Sequence, residues 1–357
     1  MIDFRYHLVS IIAVFLALAV GLVVGATALA PATEALLKTA ENTLSKTNAD
    51  LSKGNRDLTN QLNAEQAFAR AVSPRLLPGL LTGEKVVVVA ASNADPNVTS
   101  GVTKALQVAG AQVTGEVTVN NTFLLTDGHD EDQLTQLAQS QAAKAGVTLA
   151  AQSSGPVAGQ QAAAQVLAAS LLTAGGTGIP AADSAAVLGA FSQDGYISIA
   201  NGATSLVPAS LAVLVAPSGP PPQSGSRVLV ALAVALWNAG SGTVMVGGTQ
   251  SVGPGSVISA EDGAGQVSTV DNADTETGQI MTVQALRLLL DRKAPGQYGI
   301  SPDAAPTPVP TPSVTPPATS TPPSTSSTSA TSSTSATSST SATSATSGKS
   351  ASHGARK

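Results

Sequence analysis

Lys85-Val86-Val87-Val88-Val89-Ala90 contains no polar residue after its lysine, so any strand it forms is apolar on both faces. A strand with one side in water would alternate apolar and polar residues. The unbroken run therefore predicts a strand covered on both sides, as in a parallel sheet sandwiched between helices. Asn97 to Ala109 reads as the following helix, with Gly110 suited to its C-terminal stop, and Ala111 to Val119 as a second strand. That is one βαβ unit. Further strands are expected at Tyr196–Ala200, Leu211–Ala216, Thr243–Gly247 and Val267–Val270. Helices are expected at Asp130–Ala145, Gly159–Thr173, Ala182–Phe191, Ser226–Ala239 and Thr275–Asp291. The alternation implies an α/β fold, a doubly wound and mostly parallel sheet over residues 84–299, long enough for a substantial core.

Upstream the pattern changes. Leu8 to Ala30 carries no charge and spans about 34 Å as a helix, enough for a hydrocarbon core of about 30 Å. A secretory apolar region is usually about 7–15 residues, so length favours a retained anchor. Ala28-Leu29-Ala30 has the small-x-small form that a signal peptidase reads, but Pro31 is a poor residue just after a cut. Residues 1–30 are read as a cytoplasmic head and a single transmembrane helix, held in membrane lipid. Arg5 and the amino terminus give a weak basic excess that keeps the N-terminus cytoplasmic, so the bulk of the chain lies outside the cytoplasm.

Leu37, Leu44, Leu51 and Leu58 recur every seven residues. With these at position d of a heptad, Glu41, Asn48, Asn55, Leu62 and Ala69 fall at a, and Val72 at a later d. Asparagine at a fixes register and favours two strands, at a cost in stability. Gly54 weakens the helix by about 1 kcal/mol relative to Ala. Residues 31–73 are expected to form a coiled-coil stalk joining two copies. The competing reading is an amphipathic helix lying on its own domain. Ser73-Pro74 is the expected stop. After Gly299 the chain turns to proline, serine and threonine, with TSSTSA repeated three times from Thr325 to Ala342. Residues 300–357 have almost nothing to bury and are expected to be a disordered tail, either O-glycosylated or a bare spacer.

Composition excludes several functions. Net charge is −5 and no Lys/Arg cluster exceeds two residues, so there is no basic footprint for nucleic acid. Cysteine is absent, which removes disulfides, thiolate metal sites and cysteine nucleophiles together. The loop Ala91-Ser92-Asn93-Ala94-Asp95-Pro96 lacks the glycines of a dinucleotide site, and Gly247-Gly248-Thr249 lacks the lysine of a P-loop. His129-Asp130-Glu131-Asp132 resembles a metal cluster on paper, but such a run is more often a solvated first helical turn. Soft Cu(I) prefers thiolate, thioether or imidazole. Between the span and the tail only Met245, Met281 and His129 qualify, both methionines in apolar elements, so no preformed metal site is expected. No catalytic residue and no cofactor site emerge. One loop is placed for a ligand or partner: Asp271, Asn272 and Asp274 follow a strand and open a helix, where open α/β sheets collect ligands. The alternative is structural, with Asp274 capping N–H groups and Glu276 complementing the helix dipole.

The opening Met1-Ile2-Asp3-Phe4-Arg5-Tyr6-His7-Leu8-Val9-Ser10, continuing to Gly25, resembles the actinobacterial MctB family of copper transport proteins. Val267-Ser268-Thr269-Val270-Asp271-Asn272-Ala273-Asp274 is similar to that family's second recognisable stretch. The resemblance covers residues 1–299. It implies copper efflux or homeostasis, so copper is a partner by resemblance alone. It also implies an outer-membrane channel in some descriptions. Under the name SteB it implies a neighbouring membrane-protein partner and control of cell-wall hydrolysis at division. Short, continuously apolar strands do not suit a channel barrel, whose roughly 10-residue strands alternate. The residues favour a non-enzymatic, tethered binding module in the cell envelope, with an envelope scaffold or regulator as the alternative.

Overall fold

In the computed structural model, β1 (Lys85–Ala91) is the central strand, and the side chains of Val86 to Val89 are at most 1% exposed. The structure describes residues 4–125, 128–149, 157–175, 178–200, 206–221, 224–292, 294–302 and 304. The expected tail falls almost entirely outside them.

β1 pairs in parallel with β2 (Gln112–Val119) on one side and β4 (Leu211–Val215) on the other. The helix between β1 and β2, α2 (Pro96–Val108), starts where Asp95 accepts from the Asn97 N–H at 2.8 Å, with proline at the first turn. It stops before Gly110, whose φ of +87° is a conformation glycine adopts without strain. Outward from β4, the sheet adds β5 (Gly242–Val246), β6 (Ser268–Val270) and β7 (Gln297–Tyr298), all parallel. Beyond β2 lies β3 (Ile197–Ile199), which is antiparallel. The order is therefore β3-β2-β1-β4-β5-β6-β7, seven strands reversing direction of growth between β1 and β4.

Two cores result from the pleat. Val87, Val89, Ala212, Leu214 and Met245 face one side, covered by α4 (Gly128–Ala142), α5 (Ala158–Leu171), α6 (Ala181–Gln193), α7 (Gly225–Ala239) and α8 (Val257–Ala264). A four-residue helix, α3 (Asn121–Leu124), adds Phe123 and Leu124 to this layer. Val86, Val88, Leu211, Val213, Val244 and Val246 face the other side, under α2 and α9 (Glu276–Arg292). The three-layer arrangement is what a strand buried on both faces requires.

The first helix, α1 (Phe4–Leu76), is 73 residues long, about 110 Å at the usual rise. Its Phe4–Thr27 segment has a mean hydropathy of 2.9 and is wholly uncovered by the rest of the chain, long and apolar enough to cross a membrane. The helix does not stop at Ser73-Pro74 as expected. Pro74 forfeits one bond in the last turn, while Leu77 N–H still donates to Ser73 O at 3.0 Å. Nor does Pro31 break it.

Candidate partner-binding surfaces

The loop after β6 is built chiefly for structure. Asp271 is 2% exposed, and both carboxylate oxygens are taken: Oδ1 accepts from Ile300 N–H and Oδ2 from Ser301 N–H, each at 2.8 Å. Gly299, at φ +139°, lets the chain approach, and a Cβ there would overlap the Asp271 carboxylate. Asn272 is 4% exposed; its backbone carbonyl accepts from Thr275 N–H and Oγ1, and its Oδ1 is buried without a partner. Asp274 alone of the three is exposed. It does not cap its own helix. Its Oδ2 accepts from Thr249 Oγ1 at 3.0 Å and Thr249 N–H at 3.3 Å, holding the short turn Thr249–Ser251. The cap of α9 is Thr275, whose Oγ1 accepts from Gly278 N–H at 3.1 Å. Glu276 stands in the first turn of α9, where its charge complements the helix dipole, and also pairs with Arg70 of α1 at 3.7 Å.

At the crevice between β1 and β4, where ligands collect in open sheets, backbone bonds tie the two flanking loops together. Ser218 N–H donates to Asn93 O at 2.9 Å, and Ala94 bridges Pro217. Met245 and Met281 are 0% and 2% exposed, so neither thioether faces solvent. The His129 side chain lies outside the described residues. Among those described, no three His, Cys, Asp or Glu side chains converge to hold a metal ion.

Sequence reasoning missed one buried acid. Glu261 on α8 is fully buried; its Oε1 accepts from Gln266 N–H at 2.7 Å and also from Val267 N–H, while Oε2 has no partner. Burial pushes its pKa above the ordinary value, only partly opposed by those two N–H groups, and Asp262 adds to the rise. The helix that carries it was legible in principle. Ser256 accepts from Ser259 N–H at 3.3 Å as an N-cap, and Gly265 ends the helix at φ +64°. Nothing local marks Glu261 itself.

Among the described residues, most of the exposed large hydrophobic side chains lie on α1. Leu37, Leu44, Leu51, Leu58 and Leu62 are 54–71% exposed. Higher up, the same face turns inward: Ala69 joins the core beside Ile280 and Met281 of α9, and Val72 is half-buried. Between the two regimes lies an apolar groove of about 620 Å³, walled by Phe68, Ala69, Val72, Leu76, Ile280 and Met281. Phe68 is 72% exposed.

A family profile described as "Copper transport outer membrane protein, MctB" matches residues 1–309. A Mycobacterium leprae protein named "Copper transporter MctB" is 32% identical over 323 residues, covering 87% of this chain and all of the relative. A Mycobacterium bovis protein of the same name is 29% identical over 310 residues, covering 84% of this chain and 96% of the relative. The apolar N-terminal helix, the mostly parallel sheet and a match running from residue 1 through β7 agree, and the chain belongs to the MctB family.

Proposed function

We propose that this protein is a single-pass envelope protein serving copper homeostasis as a tethered binding module, without catalysis and without a copper site of its own. α1 crosses the cytoplasmic membrane with its N-terminus inside. Residues 31–73 form the stalk, and residues 84–299 form the domain held outside the cytoplasm. The observation that carries this reading is one unbroken helix, apolar and uncovered over Phe4–Thr27 and packed into the α/β core at its far end. A membrane-inserted segment and a folded domain are thereby joined rigidly.

A binding role is supported by what the described residues do with their polar groups. The loops at the switch point are bonded to each other, the acid at 271 holds backbone, and the methionines lie in the core. A channel formed from this sheet would need closure into a barrel. The sheet instead has two edges and helices on both faces. Exposed Asp274, at the carboxyl edge, is the group in the 271–274 loop left for partner contact.

The test is copper tolerance in cells lacking the protein. Full chain carrying Met245→Leu, Met281→Leu and His129→Ala restores tolerance as well as wild type. A correctly folded variant that leaves cells as sensitive as the deletion overturns the reading. A reporter fused after Gly299 is active only outside the cytoplasm; activity inside overturns the topology. The second reading, a scaffold that regulates cell-wall hydrolysis with a membrane partner, draws on the exposed leucines of α1, a face shaped for another helix. A deletion that separates poorly at division yet tolerates copper normally favours it.

A further inference from the structure

We propose that α1 is the contact surface between two copies of this chain, parallel and in register from Leu44 to Leu62, and that the pairing ends at the groove beneath α9. The inference rests on the tethered-module reading and adds a partner and limits to the contact.

Between Asn42 and Ala64 the charged residues are Lys46, Asp50, Lys53, Arg56 and Asp57, which fall at heptad positions f, c, f, b and c. The core positions hold Leu44, Asn48, Leu51, Asn55, Leu58 and Leu62, and their flanks hold Ser45, Thr47, Ser52, Gly54, Thr59 and Gln61. A broad charge-free band therefore faces one way. Its leucines are uncovered. Both limits carry an acid at a core position: Glu41 at a below and Glu65 at d above. Two copies would set like charges against each other there, so pairing begins after the first and ends before the second.

The choice of a second copy over a foreign helix follows from the anchor. Two chains held by the same Phe4–Thr27 segment enter the membrane at the same depth and in the same direction. Residue i then faces residue i of the partner across a two-fold axis. Leucine meets leucine, and Asn48 and Asn55 meet their own equivalents, the arrangement in which a buried asparagine finds a matching amide. A foreign helix would have to supply both amides at matching heights.

The upper limit is set by the domain itself. From Ala69 upward the seam is occupied by α9, and Arg70 pairs with Glu276 at 3.7 Å to hold it there. The groove walled by Phe68, Ile280 and Met281 is where the partner helix gives way to α9. Gln284, which also lines it, keeps a buried Oε1 with no partner. Above this point the two domains diverge.

The chain contains no cysteine, so single substitutions report contact without background. Asn48→Cys, Asp50→Cys, Leu62→Cys and Val72→Cys are made one at a time in the full chain. Each is treated in membranes with a short bis-maleimide, which joins two thiols as thioethers without an oxidant. Asn48→Cys and Leu62→Cys give covalent dimer several-fold above Asp50→Cys, and Val72→Cys gives no more than Asp50→Cys. Equal yields at Asn48→Cys and Asp50→Cys mean random collision and overturn the proposal. Strong yield at Val72→Cys overturns the hand-over to α9. No dimer at Asn48→Cys or Leu62→Cys excludes the second copy and points to a different helical partner; the tethered module then stands or falls on copper tolerance and topology alone.

Discussion

Val86 to Val89 in β1 and Leu37, Leu44, Leu51 and Leu58 in α1 are comparable aliphatic sets with opposite fates. The valines are at most 1% exposed and the leucines 61–71%. Spacing makes the difference. Consecutive valines need cover on both sides, which one chain supplies by wrapping helices over both faces of a sheet. Leucines seven apart ask for a single line of contact along one side of a rod. A chain covers such a line only where it folds back on the rod, and among the described residues this one does so only at its top. Apolar residues left in the open are informative when their spacing shows what shape would cover them.

Substitutions separate the two regions most strongly by their effect on stability of the α/β domain. Leu214→Ala, in a fully buried strand on the far side of the sheet from α9, should cost about 2–5 kcal/mol in chemical denaturation. A smaller cost would mean that the core relaxes around the cavity. Asp271→Asn removes a charged acceptor from two backbone N–H groups and should cost about 1.5–3 kcal/mol by the same measurement. Equal stability would show that the segment after β7 holds without it.

Glu261 gives a pH-dependent effect. Its folded pKa is raised above 4.5, so the fold prefers the neutral acid. That preference stabilises fully below pH 4.5 and is lost as pH rises through the folded pKa. Glu261→Gln stays neutral throughout. Relative to wild type, its melting temperature should therefore rise from pH 4.5 towards neutrality. A constant difference across that range would show that the acid is not stabilised in its neutral form.

The smallest effect on the domain should come from Leu44→Ala with Leu51→Ala. Melting of the α/β domain should not change, because neither side chain touches it, whereas sedimentation of detergent-solubilised protein should shift from dimer to monomer. Asn48→Leu with Asn55→Leu should keep the association or alter its order. A double alanine variant that still dimerises would move the contact off this face.

Features made by neighbours in sequence were legible. The valine run gave β1, and Gly110 marked the end of α2, whereas Asp95, which caps its start, was read only as part of a loop. Heptad spacing identified a face of α1 that is uncovered along most of its length. Features made by distant neighbours were not. β3 was expected from its composition, but its antiparallel direction follows from how α6 returns the chain to β2. The continuation of α1 past Pro74 depends on Leu77 entering the core, where it is 0% exposed. Asp271 read as a loop acid able to meet a ligand or partner. Its hydrogen bonds go to residues 29 and 30 positions away, where no local pattern points. For the same reason Asp274 looked like a cap for its own helix and instead holds Thr249.

Those two bonds from Asp271 also decide how force travels. β7 is two residues long, an edge strand that would peel readily if pulled from its end. A load applied along the C-terminal segment reaches Ile300 and Ser301 first, and there it passes sideways into the loop after β6. Asp271 acts as a cleat, so such a load is shared between the short β6–β7 seam and the loop after β6, the strand next to the edge.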